Sequence, residues 1–183
     1  MNFFYFYLIS IFIIGCQNQK EPSVQFPNNR LRIFTDSMES MAFKAPEKYF
    51  IQDGFYTFSS KEKDFKITLE KLVSEDLGAV FSKEDLINNY KKELNNVFIE
   101  LKDDWFILKG LDSNNNIVKI KGIYSYFDRL LSKEENPGVD KKYILLASKA
   151  AIIKIVYSKK NDEKRDVISK LILDSFNIVD DNF

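Results

Sequence analysis

The chain contains 183 residues, of which 45% are hydrophobic and 30% charged, and 27 Lys and Arg residues balance 27 Asp and Glu residues. This balance leaves no basic field that would attract nucleic acid, so we expect no nucleic-acid partner. The chain has no histidine and a single cysteine, which excludes Ser-His-Asp and Cys-His catalysis, zinc sites built on His or clustered Cys, and disulfides within the chain.

Residues 1–15 have the pattern of a secretory signal. Residues 3–14 are apolar apart from Ser10, and this run is too short for a membrane-spanning helix, which needs about 20 residues. Ile13-Ile14-Gly15-Cys16 resembles the lipobox of bacterial lipoproteins, which implies cleavage after Gly15 and a diacylglycerol on the Cys16 sulfur. The alternatives are a membrane anchor with an incidental cysteine or a wrongly assigned start of the chain; the short apolar run and the polar residues that follow it oppose the anchor.

We therefore divide the chain into a signal peptide at 1–15, a lipidated cysteine with a flexible tether at 16–30, and one globular domain at 31–183. The tether is polar and contains Pro22 and Pro27, and we expect it to hold the domain off the membrane. The lipid on Cys16 makes the membrane a predicted partner and the bacterial cell envelope the predicted location. In a host with two membranes, Gln17 after the cysteine favours the outer one.

Alternating apolar residues predict strands in the first half of the domain. A short strand at 41–44 ends before Pro46. Residues 54–59 and 64–73 alternate with a period of two, and we predict that they form a hairpin.

A helix is predicted to begin at Ser82, which can cap the first turn, while Glu84 and Asp85 suit the helix dipole. Apolar residues continue it at helical spacing: Leu86, Ile87, Tyr90 and Leu94.

The second half of the domain reads as further strands and a final helix. We predict strands at 97–102, 105–109 and 117–127, a turn at 110–116 and a charged loop at 132–142. Residues 143–157 are strongly apolar and favour strand; the first half is either a separate strand or part of one strand that bends at Ser148-Lys149. A last helix is predicted at 162–176. This order predicts an α+β fold in which helices pack on an antiparallel sheet.

Three stretches resemble the PsbP-like family: residues 41–58, the hairpin that begins at Trp105, and residues 152–176, which end in Ser175-Phe176. The resemblance implies an α/β/α sandwich around an antiparallel sheet, and a role in binding or assembly. We transfer no functional residue from the family, because the metal role of its photosynthetic member depends partly on histidine, which this chain lacks.

Two acidic motifs are candidate sites. Asp112 to Asn116 begins like a calcium-binding loop, but Ile117 and Ile123 stand where that loop needs Gly and Glu, so a hairpin turn is the better interpretation. Asp103-Asp104 beside Trp105 suits sugar binding or acid–base chemistry, yet we favour a polar turn with Trp105 in the core.

Other side chains offer weaker candidates. A Ser-Lys hydrolase dyad is possible in principle, but no nucleophile motif selects one pair. The 17 Phe and 9 Tyr residues line either a lipid pocket or the core, and their spacing favours the core. No nucleotide-binding motif is present.

The sequence thus predicts a membrane-anchored lipoprotein that is not an enzyme and acts as a binding or envelope-assembly module with a possible protein partner. The alternative is a carrier of a small ligand or lipid, with an apolar pocket between sheet and helices. The predicted site residues are Cys16 for lipidation and Gly15 for cleavage, and we assign no catalytic, cofactor-binding or metal-binding residue.

Overall fold

A computed structural model describes residues 30–36, 38, 40–73, 81–130, 144–159 and 162–179. Within these ranges the chain forms an α+β fold of ten strands and two helices. The strands are β1 Leu31–Thr35, β2 Met41–Pro46, β3 Phe50–Gln52, β4 Thr57–Ser60, β5 Phe65–Val73, β6 Asn95–Leu101, β7 Trp105–Leu111, β8 Ile117–Leu130, β9 Ile144–Tyr157 and β10 Asn177–Ile178. The helices are α1 Lys83–Lys91 and α2 Asp162–Ser175.

The larger sheet has seven strands in the order β3-β4-β5-β9-β8-β7-β6. Each strand pairs antiparallel with its neighbours in the sheet. The predicted β4–β5 hairpin is confirmed, since Phe58 lies opposite Ile67. Residues 144–157 form one strand, because β9 pairs with β8 in an unbroken register from Ile144 to Tyr157. The predicted loop at 132–142 lies outside the described residues.

A smaller sheet of three strands, in the order β1-β2-β10, adds to the single sheet that was expected. Of its strands only β2 was predicted. Its inner face packs Met41, Phe43 and Phe34 against the larger sheet, where Phe43 and Phe58 meet edge to face with ring centroids 5.2 Å apart. This layer gives the β2 segment, which is short, a buried environment.

The central strand of the larger sheet, β9, carries buried side chains on both of its faces. In β9, Ala151, Ile153 and Ile155 lie in one core with residues of α2, whereas Ala150 and Ile152 lie in a second core with residues of α1. Since successive strand residues point to opposite faces, the two helices lie on opposite sides of the sheet. Each fully buried Ile contributes about 1.5–3 kcal/mol of hydrophobic stabilisation.

Helix α1 begins as predicted. The Asp85 backbone N–H donates to Ser82 Oγ at 3.0 Å, and the Ser82 N–H donates to the Asp85 carboxylate at 3.0 Å. This reciprocal pair is a capping box, which satisfies two donors that the helix backbone leaves open. Leu86 and Ile87 on the same helix are buried against the sheet.

Helix α2 is fixed to the larger sheet by polar contacts as well as by apolar ones. Lys121 on β8 donates to the Leu173 carbonyl at 2.7 Å, near the carboxyl end of α2, where a cation is favourable for the helix dipole. Arg165 pairs with Asp64, which precedes β5, and donates to the Ser158 carbonyl at 3.2 Å. Neither α1 nor α2 is long and apolar enough to cross a membrane, nor is any other helix in the described ranges.

Candidate functional site

Cys16 and Gly15, the residues predicted for lipidation and cleavage, lie outside the described residues. The lipid anchor therefore stays a prediction. The other candidates from the sequence lie on described elements, where their contacts decide between structural and functional interpretations.

Asp103 and Asp104 form the turn between β6 and β7, as predicted, and both are exposed. The turn is held by hydrogen bonds to its backbone carbonyls: the Tyr124 N–H donates to the Asp104 carbonyl at 2.8 Å, and the Lys83 side chain donates through Nζ to the Lys102 carbonyl at 2.7 Å. The prediction that Trp105 lies in the core is wrong. Trp105 is only half-buried, because it points to the face of β7 opposite the fully buried Phe106.

Asp112 closes the β7–β8 hairpin, which confirms the predicted turn. Its carboxylate accepts from the backbone N–H groups of Asn114 and Asn116, each at 2.8 Å, and from the Asn116 side-chain amide at 3.0 Å. Desolvation raises the pKa of Asp112, but these hydrogen bonds outweigh it and hold the pKa below the ordinary 3.8. The carboxylate is thus used by its own loop.

The structure brings one Ser-Lys pair together. Lys119 Nζ on β8 donates to Ser169 Oγ on α2 at 2.7 Å. Ser169 is fully buried, and its hydroxyl donates to the Asp166 carbonyl at 2.7 Å. Burial lowers the pKa of Lys119, and its ion pair with the Asp166 carboxylate opposes this shift. A hydrolase dyad needs a serine that substrate can reach, whereas the Ser169 hydroxyl is enclosed between α2 and the sheet. The pair fixes α2 on the sheet.

The prediction that the Phe and Tyr side chains form the core is confirmed for a cluster of aromatic rings between the two sheets. Phe34 stacks on Phe43 with centroids 5.5 Å apart, and Phe65 stacks on Tyr157 at 5.1 Å. Phe50 and Phe58 meet their neighbours edge to face. Such contacts fill the space between the sheets, since aromatic pairs prefer these geometries in packed interiors.

An open groove of about 700 Å³ lies between α1 and the larger sheet, and we call it the α1 groove. Its floor includes Lys66 and Glu70 of β5 and Lys154 of β9, and its wall includes Tyr90 and Glu93. The Tyr90 hydroxyl donates to Glu70 at 2.6 Å, and Lys154 pairs with Glu93 at 2.9 Å. Burial and the adjacent Glu70 raise the pKa of Tyr90, so it stays a hydrogen-bond donor.

A second surface lies at the far edge of the larger sheet, where β6 is the last of the seven strands that the structure describes in this sheet. On the face that carries α2, the β6 shelf consists of Phe98, Trp105, Ile107, Lys109 and Lys121. Phe98 is 59% exposed, and the other four residues are half-buried.

Two lysines of the β6 shelf lie over its aromatic rings. Lys109 Nζ is 5.6 Å from the Phe98 ring centroid, and Lys121 Nζ is 6.0 Å from that of Trp105. Such cation–π contacts hold the long side chains against the rings. Glu100, which lies opposite Ile107 on the same face, is half-buried as well. This surface therefore combines flat apolar area with two cations and one acid.

Within the described residues, β6 pairs with a strand on one side only, and it contains a local irregularity. Its pairing with β7 shifts register between Asn95 and Phe98, where Asn96 adopts a left-handed φ of 53°. Leu101 on the opposite face is 55% exposed. The sequence predicted both strands but missed this surface, because nothing in a single strand tells whether it lies at a sheet edge.

Comparison with protein-family models finds no match for this chain, and no curated protein matches its sequence.

Proposed function

We propose that the protein is a bacterial lipoprotein, anchored in the cell envelope through Cys16, whose domain binds a protein partner and performs no catalysis. The observation that carries this proposal is the β6 shelf. Exposed Phe and half-exposed Trp at an open sheet edge are the side chains that dominate protein interfaces. The PsbP-like resemblance of the sequence supports the same class of role.

The partner that fits the shelf is an extended segment with apolar and acidic side chains. Half of the backbone N–H and C=O groups of an edge strand point outward, so a partner strand can add to β6 by backbone pairing. Phe98 and Trp105 would give that segment an apolar contact. Lys109 would meet an acidic side chain, which sets orientation more than affinity.

The test is site-specific photocrosslinking in cells that make the full chain. A photoreactive residue at Phe98 should give one major protein adduct, whereas the same residue at Phe55 should not. Phe55 is 75% exposed and precedes β4, away from the shelf, so it is a matched control for exposure. Equal adduct patterns at the two positions would contradict the proposal.

A second variant tests whether the aromatic shelf supplies the affinity. Trp105→Ala should abolish the Phe98 adduct, since interface hot-spot residues cost about 2 kcal/mol or more on truncation. Its thermal unfolding should be measured beside that of the parent protein, because Trp105 is half-buried. If the adduct persists in a folded Trp105→Ala protein, the shelf is not part of the interface.

The anchor has its own test. Radiolabelled palmitate should be incorporated into the full-length protein, and Cys16→Ser should abolish it, because Cys16 is the only cysteine. Labelling that survives this substitution would overturn the lipoprotein assignment while leaving the binding proposal intact.

A second candidate function, transport or sensing of a small ligand, is favoured by the α1 groove. Its lining carries Lys66, Glu70, Glu93 and Lys154 beside apolar Leu72 and Val156. Burying an acyl chain among these charges would desolvate them, so a small polar ligand fits better than a lipid. Native mass spectrometry of the purified protein should reveal a retained small molecule, and Glu70→Gln with Tyr90→Phe should release it.

A further inference from the structure

The outer face of the smaller sheet carries apolar side chains that point into solvent. Leu31 and Ile33 of β1 are 52% and 59% exposed, and Val179, which continues the pairing of β10 with β2, is 52% exposed. Met38, in the turn between β1 and β2, is 69% exposed. These are four of the nine large apolar side chains that are exposed in the described ranges.

The register shows that the strand residues among them, Leu31, Ile33 and Val179, share one face. Ile33 lies directly opposite Lys44, and Leu31 lies opposite Pro46. Phe34 and Phe43, also paired, point to the opposite face and into the core. Neighbouring residues of a strand alternate between faces, so Ile33 and Lys44 face away from the core. The outer face is therefore an apolar surface with a lysine within it.

Cations lie within this face and at its end. Lys44 lies within the face, and Arg30 directly precedes β1; both are exposed. Arg32 points to the opposite face, because it pairs with the buried Ala45 and its guanidinium lies 5.6 Å from the Phe34 ring centroid. Glu47, whose N–H donates to the Arg30 carbonyl at 3.0 Å, is followed directly by the exposed Lys48. Among these described charges the cations outnumber the acid, which suits an anionic surface.

The position of this face in the chain indicates what it meets. β1 begins at Leu31, directly after the predicted tether 16–30. A flexible tether of that length has a mean span of roughly 20 Å. A lipid on Cys16 would therefore keep the β1 end of the domain close to the bilayer, at an effective concentration that makes weak contacts sufficient.

We propose that the outer face of the smaller sheet docks on an anionic lipid surface, with Leu31, Ile33 and Val179 in the interfacial region and Lys44 and Arg30 against the head groups. The inference rests on the proposed lipid anchor. It replaces the expectation that the tether holds the domain off the membrane. It also leaves β6, at the far edge of the larger sheet, available to a protein partner.

Depth-dependent quenching of a fluorescent probe tests this docking. The lipidated full chain is reconstituted in phosphatidylcholine vesicles with and without phosphatidylglycerol, and it carries Ile33→Cys as its only free thiol, because Cys16 is acylated. The thiol is labelled with an environment-sensitive dye, and the lipids carry a quencher near the head group. Phe98→Cys, labelled in the same way on β6, is the control.

Docking predicts that the dye at position 33 is quenched by the bilayer and the dye at 98 is not, and that quenching grows with phosphatidylglycerol content. Lys44→Ala should lower the ratio of docked to undocked protein about fivefold, which is the contribution of one cation near an anionic membrane. Lys44 is exposed, so this change should leave thermal unfolding unaltered.

Three outcomes would overturn the inference. Equal quenching at 33 and 98 in protein that floats with the vesicles would overturn docking alone. A chain that carries no lipid and does not float would overturn the anchor and the docking with it. A dye response at 33 that appears in detergent and rises with protein concentration would assign the face to a second copy of the chain.

Discussion

Lys119 Nζ and Ser169 Oγ lie 2.7 Å apart across the contact between β8 and α2. The same ammonium group pairs with Asp166, to which the Tyr157 hydroxyl also donates at 3.0 Å. The two partners differ in burial, since the Lys119 side chain is 9% exposed and that of Asp166 is 61% exposed. The pair therefore joins a desolvated cation to a hydrated anion.

This asymmetry predicts unequal costs when either partner is removed. Lys119→Met should change the free energy of unfolding by less than about 1 kcal/mol, because the remaining carboxylate is hydrated and a buried charge is replaced by an apolar chain. Asp166→Ala should cost about 1–3 kcal/mol, because it leaves a buried cation without its counter-ion. Urea unfolding measures both. Alanine favours helix more than Asp does, so a loss on Asp166→Ala is informative, and a larger loss in Lys119→Met would contradict the prediction.

Acid should destabilise the fold through the same carboxylate. Desolvation raises the pKa of Asp166, but the hydrogen bond and charge of Lys119 and the Tyr157 hydroxyl outweigh it and hold the pKa below 3.8. A carboxyl whose pKa is lowered by folding contributes stability above its unfolded pKa, and this contribution is lost as the pH falls through the folded value. Stability should therefore fall below about pH 4.

The measurement is the slope of the unfolding free energy against pH in the acid range. Asp166→Asn and Asp112→Asn should each reduce the slope, since Asp112 also has a lowered pKa. Asp103→Asn is the control, because the Asp103 side chain lies exposed in the β6–β7 turn. A slope that is unchanged in both test variants would show that other groups cause the loss of stability at acid pH.

The capping box of α1 gives a third prediction. Ser82→Ala removes the oxygen that accepts from the Asp85 N–H, and loss of such a cap costs about 0.5–2 kcal/mol. Ser82→Thr keeps the hydroxyl and should restore most of the stability. Thermal unfolding of the two variants checks this, and equal loss in both would mean that the hydroxyl is not what stabilises the helix start.

The elements that were predicted correctly carry the signal within their own residues. β5 alternates buried Phe65 and Ile67 with exposed Lys66, and the α1 cap depends on Ser82 and Asp85, which are three residues apart. The missed strands β1, β3 and β10 have five, three and two residues. Runs this short do not establish a period of two, and each is defined by its pairing partner instead.

The surfaces were harder to predict because they depend on which face of a strand is covered. The first four residues of β7 are apolar on both faces of the strand: Trp105 and Ile107 lie on one face, and Phe106 and Leu108 lie on the other. Only the second set meets the α1 core. Lys119 shows the opposite case. It alternates with apolar residues along β8, which predicts an exposed side chain, but it is buried beneath α2, where it contacts Asp166 and Ser169.

The last prediction concerns the close approach of Gly122 to the α1 core. A Cβ at Gly122 would fall on the ring of Phe106, closer than side chains come, and 2.9 Å from Ile152 Cδ1. Both neighbours are almost fully buried, at 0% and 1% exposure, so neither has free space to move into. Gly122→Ala should therefore lower the free energy of unfolding by about 1–3 kcal/mol through overpacking.

Gly54→Ala is the matched control, because its Cβ would lie 3.5 Å from Thr57 Cβ, an ordinary contact. This substitution should leave the free energy of unfolding unchanged or raise it slightly, since Ala restricts the unfolded chain. Urea unfolding of the two variants in parallel measures the difference. Equal stability of the two would show that β8 and β7 can separate at this point without loss.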